Sequence, residues 1–123
     1  MKTLIALFLA IALLSSSAFA ADGPIRHVVH FKFKSDATPE QIKKITDGFA
    51  ELKTNIPEVE SIEWGKNASP EGLSKGFDYC WIVSFKNAKD RDAYLVHPAH
   101  KAFVAILKPV LDEALVVDFV PEK

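Results

Sequence analysis

The sequence predicts an α+β domain: a ferredoxin-like β-α-β-β-α-β chain whose antiparallel sheet carries its helices on one face. Three observations lead there. Alternating polarity, the period of a pleated strand, recurs at Arg26–Lys34, Val59–Lys66, Phe77–Phe85 and Val116–Val120. Between the first two segments, and again between the last two, apolar residues return every third or fourth position, as on one face of a helix. The resulting order is strand, helix, strand, strand, helix pair, strand. Two βαβ-like halves with right-handed crossovers close that order into a four-stranded sheet.

Residues 1–20 stand outside this pattern. Met1-Lys2 supplies a positive start, Leu4 to Leu14 is an apolar run of eleven residues, and Ser15-Ser16-Ser17 leads into Ala18-Phe19-Ala20. The run is too short for an ordinary membrane span, and the small residues form an A-x-A cleavage site. A signal peptide over 1–20, cut after Ala20, is therefore expected. It leaves one domain at 24–121 in the periplasm or outside the cell, with no membrane attachment after cleavage.

Composition narrows the function classes. Fifteen basic and sixteen acidic side chains give a formal charge of −1, and no basic stripe marks a nucleic-acid surface. Cys80 is the single cysteine, so an exported chain has no internal disulfide. Its expected role is that of a small buried apolar side chain. Packing and self-association must hold the fold.

Taken in order, the first strand puts His27, Val29, Phe31 and Phe33 on a core face and Val28 and His30 on the reverse. Thr38-Pro39-Glu40-Gln41 then reads as a helix start: Thr38 as N-cap, Pro39 at the first position, Gln41 closing a capping box. Ile42, Ile45, Phe49 and Leu52 form its apolar stripe, Gly48 is expected to let it approach the sheet, and Asn55-Ile56-Pro57 ends it. Ile62 and Trp64 share one face of the second strand. A polar stretch from Asn67 to Gly76 is a loop. The third strand turns Phe77, Tyr79, Trp81, Val83 and Phe85 to the core and Cys80 and Ile82 to the reverse. Asn87 caps a helix to about Val96. A second helix is expected from Pro98 to about Ala114, shortened or kinked by Pro109. In the last strand Val117 and Phe119 are expected under the helices, with Val116, Asp118 and Val120 on the reverse.

The reverse face of the sheet is then too apolar for water, since it carries Val28, Ile82, Val116 and Val120 beside His30 and Cys80. Two such sheets packed face to face, a homodimeric barrel, satisfy it.

Tyr94-Leu95-Val96-His97-Pro98-Ala99-His100 is the stretch most charged with chemistry. On one continuous helix Tyr94 and His100 would diverge by roughly 240°. Pro98 removes a backbone donor, so the helix stops near His97 and restarts. Such a break lets a phenol and an imidazole face one pocket, expected between sheet and helices with His27, Tyr79 and Trp81. His97 serves as a cap or a further pocket contact. No His/Cys/carboxylate set has metal-site spacing, and no phosphate cradle or nucleophile elbow is present, so neither metal nor cofactor is expected.

These residues resemble a known family. Arg26-His27-Val28-Val29-His30-Phe31-Lys32-Phe33-Lys34, the Tyr94–Phe103 helix break and Val116-Val117-Asp118-Phe119 look like the first strand, helix break and closing strand of the stress-responsive dimeric α/β-barrel (Dabb) proteins. The resemblance spans nearly all of the chain after the leader and implies a dimer whose sheets close into a barrel. A plant polyketide cyclase of that family performs an aldol closure without a cofactor. Its catalytic tyrosine and histidine fall on Tyr94 and His100, and its first-strand pocket histidine falls on His27. A second pocket histidine falls on Tyr79, a departure that bears on substrate. Three functions follow as expectations: a binder of a small apolar or aromatic molecule, a cofactor-free cyclase or lyase with His100 as base and Tyr94 as hydrogen-bond donor, or a purely structural stress protein.

Overall fold

The computed structural model describes residues 23–123. The signal-peptide reading of 1–20 lies outside the described residues. Among the described residues no helix is long and apolar enough to cross a membrane. The elements are β1 (Ile25–Phe33), α1 (Pro39–Asn55), β2 (Ser61–Lys66), β3 (Tyr79–Phe85), α2 (Ala88–Val96), α3 (Pro98–Leu107) and β4 (Leu111–Phe119). The strands form one antiparallel sheet in the order β2-β3-β1-β4, the ferredoxin-like arrangement.

Helix starts follow their caps. Thr38 Oγ1 accepts from Gln41 N at 3.2 Å while Gln41 Oε1 accepts from Thr38 N at 2.9 Å, a reciprocal capping box with Pro39 behind it. Asn87 Oδ1 accepts from Asp90 N at 2.8 Å and starts α2. Ile45, Phe49 and Leu52 of α1 are buried against the sheet. Gly48 departs from expectation: a side chain there would meet Ile106 and Phe103 at about 3.4–3.5 Å, so the glycine admits α3 rather than the sheet.

An aromatic column fills the core. The Trp81 ring stacks on Phe49 at 4.7 Å and on Trp64 at 5.7 Å, with Phe31 at 4.8 Å. Trp81, Val83 and Phe85 are fully buried. β2 and β3 are shorter than the alternation suggests, beginning at Ser61 and Tyr79.

The largest correction concerns β4. The helix expected to about Ala114 stops at Leu107, and the strand begins at Leu111. Pro109 has no N–H to continue a helix. The chain turns instead, with Val110 N–H donating to the Leu107 carbonyl at 3.0 Å and Lys34 N–H donating to the Val110 carbonyl at 2.9 Å. A bulge then sets Lys32 opposite Glu113 and Phe33 opposite Leu111.

The faces of β4 are the reverse of those expected. His27 pairs with Asp118, Val29 with Val116 and Phe31 with Ala114. Directly opposed residues share a face. Val116 and Asp118 therefore lie on the helix-covered face, and Leu115, Val117 and Phe119 on the open one. Both faces of this strand are apolar, so alternation could not choose between them. What decides is the charge, because inside the fold Asp118 finds His27 and Arg91. The open face thus carries Val28, Ile82, Leu115, Val117 and Phe119, with Ile82 39 % and Val117 50 % exposed. Cys80 is half-buried there beside His30. Burial, and secondarily Asp78, pushes its thiol pKa up.

Candidate functional site

The break between α2 and α3 is where the proline puts it. His97 is C-cap of the first helix and N-cap of the second: its N–H donates to the Tyr94 carbonyl at 3.1 Å, and its Nδ1 accepts from Ala99 N at 3.0 Å. The reversal brings the Tyr94 and His100 rings to 4.5 Å between centroids, and His27 of β1 stands 5.9 Å from Tyr94.

These three residues sit at a cavity of about 300 Å³ between the β1–β4 side of the sheet and α3. Its remaining lining is apolar, including Val29, Phe31, Phe49, Phe103, Val104, Leu107 and Val116. An apolar chamber with a few convergent polar groups is the usual form of a small-molecule site.

The polar groups have defined protonation preferences. Tyr94 is almost fully buried, which raises its phenol pKa well above the ordinary value, so it stays a hydroxyl at neutral pH. His100 is pushed below its ordinary value by burial first and by the nearby His27, against a raising effect of its bond to the Leu95 carbonyl. A carbonyl oxygen only accepts, so His100 Nδ1 carries the proton donated to Leu95 O at 3.2 Å. The neutral ring keeps its lone pair on Nε2.

Three residues expected in this pocket lie elsewhere. Trp81 is opposite Val29 at the sheet centre beneath Phe49, fully buried and not among the residues lining this cavity. Tyr79 lies toward the β2 side, in a groove of about 370 Å³ with Trp64, Lys66, Ile42 and Thr46. His97 spends its Nδ1 on the α3 cap and is not among the residues lining the cavity. The cavity is lined by residues of β1, β4 and the helices, and no β3 side chain is among them.

Two residues the sequence reading passed over adjoin the site. Asp118 Oδ1 accepts from His27 Nδ1 at 2.7 Å, and Asp118 Oδ2 accepts from Arg91 Nη1 at 2.9 Å. The signal was a lone carboxylate inside the apolar run Val116–Val120, which the reversed faces disguised. Among the described residues no group of three or more His, Cys, Asp or Glu is placed to hold a metal ion.

Fold and cavity together define the class: a ferredoxin-like α+β protein with a helix-covered chamber and an unpartnered sheet face. The chain belongs to the Dabb family, the Stress responsive A/B Barrel Domain, which its residues 25–121 match. It is 35% identical over 101 residues to the stress-response A/B barrel domain-containing protein HS1 of Arabidopsis thaliana, covering 82% of this chain and 93% of that one. Olivetolic acid cyclase of Cannabis sativa is 25% identical over 99 residues, with 80% and 98% covered. Among solved structures, Arabidopsis thaliana At3g17210 superposes with a TM-score of 0.76 at 32% identity, covering 80% of this chain and 96% of that one. A dimeric ferredoxin-like protein of unknown function from Thermobifida fusca gives 0.70 at 25% identity, covering 81% and 92%. The family and fold are those of dimeric barrels.

Proposed function

We propose that the protein is an exported homodimer that binds a small apolar or aromatic carbonyl compound in the chamber of each protomer. The observation that carries this is the chamber itself, apolar except where Tyr94, His100 and His27 converge. A purely structural protein would have a filled core there. Export rests on the leader sequence alone. Native mass spectrometry of protein taken from the periplasm tests the reading: a dimer mass carrying a retained small molecule is expected. Should the chamber also refuse a simple benzyl ketone, phenylacetone, in titrations followed by NMR, the binding reading falls.

The two sheets meet open face to open face. Val28, Ile82, Leu115, Val117 and Phe119 supply the apolar centre, and Arg26, Lys32, Glu63 and Glu113 sit on the same face around it. Ile82→Lys places a charge in that centre and is expected to yield monomer or aggregate by light scattering. A dimer of unchanged mass and stability would show that the copies associate elsewhere.

A second reading, enolisation without a cofactor, is favoured by one arrangement. His100 offers an unprotonated Nε2 at neutral pH while Tyr94, 4.5 Å away between rings, offers a hydroxyl. The base removes a proton alpha to the carbonyl and the phenol donates to the developing enolate oxygen. The cyclase among the relatives supports a reaction of this class.

A further inference from the structure

His27 is the third polar group of the chamber, and its ring is held from outside the chamber. Asp118 takes the Nδ1 proton at 2.7 Å with one oxygen and Arg91 at 2.9 Å with the other. Arg91 is itself fixed, its Nε donating to Asp92 Oδ1 at 2.9 Å. The His27 side chain is 8% exposed, those of Asp118 and Arg91 23% and 24%. An ionised carboxylate has only acceptors to offer, so the proton of a neutral His27 ring sits on Nδ1 and the lone pair on Nε2. Asp118 is on an edge strand and partly open to water, where a carboxylate with one partner is free to turn away. A guanidinium on its second oxygen fixes the carboxylate plane, since charge-assisted bonds to both oxygens leave no free rotation.

We propose that Arg91 is a positioning residue of the chamber: by clamping Asp118 it locks the His27 tautomer, so that His27 presents a second lone pair beside that of His100. The two imidazoles then share one design, each with Nδ1 committed as a donor, to Asp118 or to the Leu95 carbonyl, and each with Nε2 left as acceptor. A bound molecule meets two acceptors flanking a single phenol. The functional consequence rests on the reading of the chamber as a ligand site; the tautomer does not. A surface ion pair of no consequence is the competing account, because exposed pairs contribute little.

The test is long-range proton–nitrogen NMR of the histidine rings in the ligand-free dimer, for the wild type, Arg91→Leu, Arg91→Lys and Asp118→Asn. In the wild type His27 is expected as the Nδ1–H form, with a solvent-protected Nδ1 proton. Arg91→Leu is expected to speed exchange of that proton about tenfold and to populate both tautomers. Arg91→Lys is expected to restore most of the protection. Asp118→Asn, which replaces one of two acceptors by a donor, is expected to mix the tautomers as well. A wild-type ring protonated on Nε2 overturns the proposal, as does an Arg91→Leu ring with unchanged tautomer and exchange. An empty chamber that never takes a ligand would sink the functional reading while leaving this result intact.

Discussion

Trp81→Ala is expected to destabilise the domain by about 3–5 kcal/mol, a large share of the roughly 5–15 kcal/mol typical of a domain. The side chain is fully buried between Phe49 and Trp64, nearly parallel to both, and Phe31 leans on it from the same sheet. Truncation removes the middle of a column whose ends belong to α1 and β2, and neither can collapse inward without giving up its own contacts. Trp81→Phe separates packing from polarity. The indole N–H has no hydrogen-bond partner, so phenylalanine keeps a stacked ring while deleting an unsatisfied donor worth about 1–3 kcal/mol. The lost area and the removed penalty oppose each other, and a net cost under about 1.5 kcal/mol is expected. Urea denaturation at one fixed protomer concentration measures both, because dimerisation makes stability concentration-dependent. Equal losses for the two variants would overturn this account, because the retained ring would then contribute nothing to the column.

What the sequence could and could not reveal follows from the kind of signal each feature carries. The capping box at Thr38, the cap at Asn87 and the break at Pro98 are local chemistry, complete within a few residues, and all three are legible. The strand order follows from connection rules that need no contact information. The β4 faces were not legible, because alternation identifies a face only when one side is polar. Val116–Val120 has one charge, and that charge goes inward to partners 27 and 91 residues away in the chain. The same error hid Asp118 and Arg91 from the candidate site. The meeting of Tyr94 with His100 was legible because one proline governs it. Tyr79 and Trp81 share a strand face with the site's neighbours yet lie outside the chamber. Which end of a sheet a void opens toward depends on where α1 and α3 settle, and Gly48 sets that by admitting Ile106 and Phe103. Short-range rules cannot see such a choice.

On the enolisation reading, His100→Ala is expected to lower the rate of deuterium uptake at the alpha carbon of phenylacetone by about 10²–10⁴, the ordinary contribution of a positioned general base. Tyr94→Phe, which keeps the ring packed beneath α3 and removes only the hydroxyl, is expected to lower it by about 10² with ligand affinity little changed. The order of the two effects matters. Without a base no proton leaves, whereas without the phenol the enolate still forms but is poorly solvated in an apolar chamber. The pH profile discriminates further. The active ring is the neutral one, and burial holds the His100 pKa below its ordinary 6.5. Uptake should therefore be level through neutrality and fall only as pH drops through that lowered value. The linked stability has the same sign. The unfolded chain takes up the proton near 6.5 and the folded chain only at lower pH, so this group's contribution is present above that interval and is lost as pH falls through it. Uptake in His100→Ala equal to that of the wild type, or an acid limb centred above 6.5, would remove His100 from the base role. The chamber would then stand as a binding site without chemistry.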